Sequence, residues 1–262
     1  YMKDISLNRS LIKITGDDKK SFLQKLVTSD INQLQQFCLA PSSLLSPQGK
    51  ILFSFLLSLV DNDIYIDAET NYIDSLANRL NLYKLNADVS LTIYKNIKTI
   101  IHNKAAKFSF LDTRFSKSIY RNYSHFAPLP PIYEFNFRLF CIENGIAQIG
   151  YDFEPNSYFP HDLNYDLINA VSFTKGCFIG QEVVARMQHR AHIKKRTMII
   201  KSKHAIQKGN IIYANGKEAG IIGNTINNQA LAIIRIDYTA GEVATCNEKA
   251  IKIIAPPYLE LT

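Results

Sequence analysis

Beyond about residue 192 the chain is a series of short β-rich runs, each closed off by turn formers. Arg196–Lys201, Asn210–Tyr213, Glu218–Asn224, Ala230–Ile236 and Ala250–Ile254 are separated by Gly209, Asn215-Gly216, Asn227-Asn228 and Gly241. Runs this short, bounded by residues that tolerate positive φ, pair as antiparallel hairpins and close on themselves. The pattern predicts a small β-barrel over 193–262. The domain boundary falls near Ala191–Lys195, leaving a first region over 1–192.

That first region mixes periods. Ile5–Leu7 and Leu11–Thr15 read as short strands. Asp17 is placed to cap a helix, Asp18–Val27, with Phe22, Leu23 and Leu26 on one face. Leu44–Lys50 makes a turn into a buried strand, Ile51–Val60. Asp61-Asn62-Asp63 then turns the chain into Ile64–Ala68. Thr70 opens a helix to about Leu85, followed by strands Val89–Tyr94 and Thr99–His102. Tyr133–Asn144 reads as a helix stopped by Gly145, and Asp166–Ala170 as a helical turn. Strands, helix, hairpin and helix in this order give an α+β fold: antiparallel sheets with covering helices.

The most informative stretch for function is Lys175-Gly176-Cys177-Phe178-Ile179-Gly180-Gln181-Glu182. It places Cys177 in a glycine-flanked turn just ahead of a helix. There, helix-end amides and the Lys175 ammonium both favour negative charge. The other thiols, Cys38, Cys141 and Cys246, are far apart in sequence, without the spacing of a zinc or cluster motif, and read as inert. Tyr1-Met2-Lys3-Asp4 leads into a polar segment. The most apolar run, Ile51–Val60, is about half a bilayer span. A reduced, cytoplasmic, monomeric protein off the membrane is the expectation. The net charge of +7 suits an anionic partner.

The signature resembles that of the YgfZ-type folate-binding proteins, relatives of the glycine-cleavage T-protein (aminomethyltransferase). Leu11–Gly16, Phe22-Leu23-Gln24, Leu45–Lys50, Asp112-Thr113-Arg114, Phe159–Asp162 and Ala230–Arg235 resemble further family blocks in order. The resemblance implies a folate-binding region around a central channel, closed by the C-terminal barrel. It also implies tetrahydrofolate as cofactor and a role in assembling or repairing iron–sulfur clusters, with cluster proteins or assembly factors as partners. Cluster enzymes served would include radical-SAM tRNA-modifying and aconitase-like enzymes. The T-protein's acidic pair is missing: Phe53 and Ser54 stand in its place. A methylene transfer needs a carboxylate there to manage protons, so ordinary aminomethyltransferase activity is not expected.

Cys177 is the first site residue, with Lys175 either stabilising the thiolate or holding an anionic folate tail. Gly176 and Gly180 are expected to provide positive φ or close approach to a ligand. Gln181 and Glu182 open the next helix; Glu182 suits either its dipole or a ligand. A pterin edge offers donors to a carboxylate, for which Glu143, in register with the T-protein's pterin glutamate, and Asp162 with Asn164 are the candidates. Arg186, His189, Arg190, His192, Lys194, Lys195 and Arg196 form a basic run that suits a polyglutamate tail or, as a rival reading, tRNA phosphates.

Overall fold

The computed structural model describes residues 7–131, 135–189, 193–238 and 244–259. They form two compact units, neither continuous in sequence. The first gathers Tyr1–Leu45, Leu52–Asn136 and Asn169–Ile179; the second gathers Ser46–Ile51, Phe137–Ile168 and Gly180–Thr262.

The first unit is built from β1 (Leu7–Thr15), α1 (Lys19–Gln24), β2 (Cys38–Leu45), β3 (Ile51–Val60), β4 (Asp63–Glu69), α2 (Thr70–Lys84), β5 (Ser90–His102), β6 (Phe110–Asp112) and β7 (Tyr120–Tyr123). Its sheet closes into a barrel in the order β1-β4-β3-β2-β6-β7-β5. Only antiparallel sheets were expected, yet β2 and β6 pair in parallel, Cys38 facing Leu111. The two strands expected at 89–102 are one, long enough to pair β1 along its length and β7 at its far end. A register shift interrupts that pairing at Arg9/Leu11, where Asn96 takes a positive φ of 54°. Of the short strand expected at Ile5–Leu7, Leu7 opens β1 and residues 5 and 6 lie outside the described residues; α1 stops three residues before the expected end. Asp18, not Asp17, stands at its N-cap, without a side-chain cap bond.

Strand alternation sorts the side chains of this barrel. Ile12 and Ile14 on β1 and Ile64 and Ile66 on β4 share a cluster with Ile73, Leu76, Ala77 and Leu80 of α2. Helix-covered apolar packing of this kind is the main source of the unit's stability. The alternate positions face the interior. Leu11, Tyr65, Phe110 and Tyr123 pack there, and beside them lies a buried ionic network. Asp67 accepts from Arg9, from Arg121 at 2.8 Å and from the Tyr123 hydroxyl at 2.7 Å. Asp112 takes Arg121 at 3.0 Å and a bidentate Arg114 at 2.9 and 2.7 Å. Both neighbouring guanidiniums hold the Asp112 carboxyl down to about 2 against the opposing effect of its complete burial.

The second unit contains α3 (Phe137–Glu143), α4 (Gln181–His189) and strands β8 (Lys195–Ser202), β9 (Ile211–Ala214), β10 (Lys217–Ile226), β11 (Gln229–Arg235), β12 (Ala244–Cys246) and β13 (Lys249–Ile254). The six strands form a closed antiparallel barrel, β10-β11-β8-β13-β12-β9, as the hairpin signals required. Its interior is filled by Met198, Ile200, Ile212, Ile222, Ala232 and Ile234. The helix expected from residue 133 begins at Phe137; residues 133 and 134 lie outside the described residues. The helical turn expected at 166–170 is a plain turn. A single turn of 3-10 helix, His161–Leu163, precedes it instead. Among the described residues no helix is long and apolar enough to cross a membrane.

Candidate functional site: an exposed thiol on an anchored loop

Residues 169–179 end the first unit, and hydrogen bonds tie the segment to residues 27–29. The Thr28 hydroxyl donates to the Ala170 carbonyl at 2.6 Å, and the Ser172 amide donates to the Thr28 carbonyl at 2.8 Å. Lys175 is buried, and its ammonium donates to the carbonyls of Val27 and Ser29 at 2.6 and 2.8 Å. Burial draws its pKa down to about 8, with Asp30 pulling the other way. Phe178 is buried too, with the Lys175 ammonium 5.1 Å from its ring centre. Between these anchors, Gly176 and Cys177 are exposed. The loop therefore presents one thiol to solvent from a two-residue crest pinned at both ends. An accessible thiol can act as a metal ligand or redox group, unlike a buried one. Cys141 and Cys246 are buried; Cys38 is half-buried, with its thiol pushed up by desolvation.

The geometry gives Lys175 a structural task. Its ammonium is committed to two backbone carbonyls and serves as the anchor of the loop. The two signature glycines also separate. Gly180 has φ +78°, and a Cβ there would lie 2.6 Å from the Ser46 carbonyl and 3.0 Å from Gly49 Cα. Gly49 has φ +81° and would meet Val183 at 2.9 Å. The signature's second glycine thus lets its backbone touch the Ser46–Lys50 turn, which explains why both blocks carry glycine. Gly176 has no positive φ, and a Cβ at this position would meet nothing within 4 Å.

The remaining predicted residues belong to the second unit. Gln181 is half-buried at the start of α4. Glu182 and Arg186 are exposed one turn apart and pair at 2.6 Å, a solvated contact worth about 0.3–0.5 kcal/mol. Glu143 is exposed at the end of α3. Asp162 is buried, and its carboxylate accepts from the Phe159 amide at 3.0 Å; burial raises its pKa. Asn164 is fully buried at φ 59° and donates to the Thr197 carbonyl at 2.9 Å. Arg196 leaves the expected basic run. It is buried, bidentate on Asp166 at 2.6 and 2.9 Å, and bonded to the His161 carbonyl. Arg190 and His192 lie outside the described residues.

A cleft of about 510 Å³ lies in the first unit, with Asp30, Gln33, Gln35, Cys38, Thr113 and Phe173 among its lining residues. Thr174 also lines it, so the cleft wall runs directly into the thiol loop. Sequence reading missed this feature. Asp30 and Thr113 are 83 positions apart, and only barrel closure brings them to one surface. The ionic network was missed as well, although Asp67 in the otherwise apolar run Ile64–Ala68 was a visible signal.

The fold is that of the glycine-cleavage aminomethyltransferases. The solved T-protein of Bartonella henselae superposes with a TM-score of 0.75 over 98% of this chain and 85% of its own, at 14% identity. Residues 194–261 match the family described as CAF17, C-terminal beta-barrel domain. An iron–sulfur cluster assembly factor IBA57 homolog, mitochondrial, of Mycosarcoma maydis is 26% identical over 219 residues, covering 72% of this chain. The chain spans about half the length of that relative, 54%. An uncharacterized protein of Haemophilus influenzae is 28% identical over 85% of this chain and 84% of its own length.

Proposed function

We propose that this chain is an iron–sulfur cluster assembly factor whose working group is Cys177. The observation that carries the reading is the exposed thiol between two buried anchors, Lys175 and Phe178. The Mycosarcoma relative, by name an assembly factor of this kind, supports it. A thiolate is a strong ligand for iron, and a single one binds an incoming cluster loosely enough to release it. The cluster is cargo here. Cys177 supplies one ligand, and the recipient or donor protein supplies the rest. The pinned ends of the loop keep the sulfur in solvent, so no conformational opening precedes ligation.

Tetrahydrofolate is the cofactor that the fold class suggests. The side chains expected to hold the pterin do not fit that task together. Glu143 is exposed, Asp162 is engaged by the Phe159 amide, and Asn164 is sealed from solvent. Folate binding is separate from the thiol's role and is tested by calorimetry with tetrahydrofolate. Aminomethyl transfer is not part of the reading. Phe53, where that chemistry needs a carboxylate, packs against the helix-covered core of the first unit.

The test is replacement of Cys177 by serine, with Cys38→Ser as control, in cells lacking the endogenous gene. Aconitase-type activity is expected to fall with Cys177→Ser and hold with Cys38→Ser. Full activity with Cys177→Ser, at equal protein level, would overturn the assignment.

A further inference from the structure

The chain contains the dipeptide Asn-Gly twice, and the structure gives the two copies opposite surroundings. Asn144-Gly145 is locked. Asn144 Nδ2 donates to the Phe140 carbonyl at 2.8 Å, and the Gly145 amide donates to the Ile142 carbonyl at 3.1 Å. Gly145 is buried, and a Cβ there would lie 2.5 Å from Pro256. Asn215-Gly216, by contrast, is the exposed two-residue turn between β9 and β10, with Ala214 paired to Lys217 across it. Its φ angles of 51° and 72° are those of a type I′ turn, whose central amides stay outside the ladder. Among the described residues neither the Asn215 side chain nor the Gly216 amide has a hydrogen bond, and a Cβ at Gly216 would meet nothing within 4 Å. A third turn has the same geometry without glycine: Asn227-Asn228, also exposed, joins β10 to β11 with φ of 49° and 57°.

We propose that Asn215 is a self-modification site, where the side-chain amide is lost and the main chain is rerouted as isoaspartate. The Gly216 amide nitrogen gives its proton to hydroxide or a buffer base and attacks Asn215 Cγ. The bond from Cγ to the side-chain nitrogen breaks, and that nitrogen takes up a proton and leaves as ammonia. Water then opens the resulting succinimide ring at either carbonyl. Opening at Cγ leaves aspartate. Opening at the Asn215 α-carbonyl leaves isoaspartate, with the chain running through the side chain and the α-carboxylate free. Attack requires ψ of Asn215 to leave its turn value. An exposed turn outside the ladder can open locally to allow this. At Asn144 the same rotation would break the bonds to Phe140 and Ile142 against the packing of Pro256. Glycine contributes separately: its nitrogen reaches Cγ unobstructed, whereas Asn228 carries a Cβ beside the nucleophile. Isoaspartate adds a backbone methylene to a turn whose length sets the register, so the product loosens the β9–β10 hairpin. Its exposed α-carboxylate is the group on which a carboxyl methyltransferase acts. The inference goes beyond the cluster reading and does not rest on it.

The test holds the full chain in mildly alkaline buffer, folded or in guanidinium chloride, and follows each asparagine by ion exchange and peptide mass spectrometry. In the folded chain Asn215 is expected to convert at least tenfold faster than Asn144 and than Asn227. In denaturant the two Asn-Gly copies are expected to converge on the same rate, because the dipeptide is identical and the fold no longer separates them. The isoaspartate form is recognised by labelling with an isoaspartyl carboxyl methyltransferase. It should show faster hydrogen exchange over residues 211–221 than Asn215→Asp, which carries the same charge without the extra methylene. The proposal is overturned if Asn144 or Asn227 keeps pace with Asn215 in the folded chain. It is overturned equally if the Asn144 and Asn215 rates stay tenfold apart in denaturant, if no isoaspartate forms, or if isoaspartate leaves exchange over 211–221 at the Asn215→Asp level.

Discussion

Replacing Lys175 by methionine tests whether the thiol loop is held by the anchor described. Methionine keeps most of the buried stem and removes only the ammonium. The lost contacts are the hydrogen bonds to the Val27 and Ser29 carbonyls, at 2.6 and 2.8 Å, both in a buried setting. A buried carbonyl left without its donor costs about 1–3 kcal/mol, so the pair sets a range of about 2–6 kcal/mol. Relief from desolvating the ammonium, the effect that draws its pKa to about 8, offsets part of this. A net loss of about 2–4 kcal/mol is expected. Urea unfolding at pH 7 measures it as a lower midpoint at unchanged slope. Hydrogen exchange should rise in residues 172–178 and at Val27–Ser29 together, because the two stretches lose the same tie. Stability within about 0.5 kcal/mol of wild type, with exchange unchanged at both stretches, would refute the anchor.

Gly180→Ala should destabilise by about 2 kcal/mol or more in chemical denaturation, since φ is +78° and the new Cβ would press on the Ser46 carbonyl. Gly176→Ala, with open space around it, should leave the midpoint unchanged, and equal losses for the two would contradict this division. Asp67→Ala strands a net positive charge among Arg9, Arg121 and Arg114 and should cost about 3–5 kcal/mol. Adding Arg121→Met should recover part of that loss in a double-mutant cycle, and strict additivity would argue against the network. Asp152 is held at about 6, chiefly by burial. Its native state retains the proton more tightly than the unfolded chain, so this carboxyl lowers stability as pH rises from about 4 to 6. Asp152→Asn keeps an acceptor for the Gln148 amide, at 2.8 Å in the wild type. It should therefore stabilise by about 1–3 kcal/mol at pH 8 and by nothing measurable at pH 4. An equal effect at both pH values would exclude titration of Asp152 as the cause.

The local chemistry of this protein is legible in the linear chain. Turn pairs such as Asn215-Gly216 and Asn227-Asn228 mark the strands of the C-terminal barrel, because positive φ is a property of single residues. Helix α2 follows from its apolar spacing, and the exposed thiol follows from a cysteine set between glycine and phenylalanine ahead of α4. Each of these is decided within a few residues. The tertiary structure decided everything that depends on which distant residues meet. Closure of the first sheet turned Arg9, Asp67, Asp112 and Arg121 from isolated charges into one buried network. It brought Asp30 and Thr113 to a common cleft. It also gave the Lys175 ammonium to carbonyls almost 150 positions earlier. A buried charge must find partners wherever the fold places them, and sequence proximity does not set that choice.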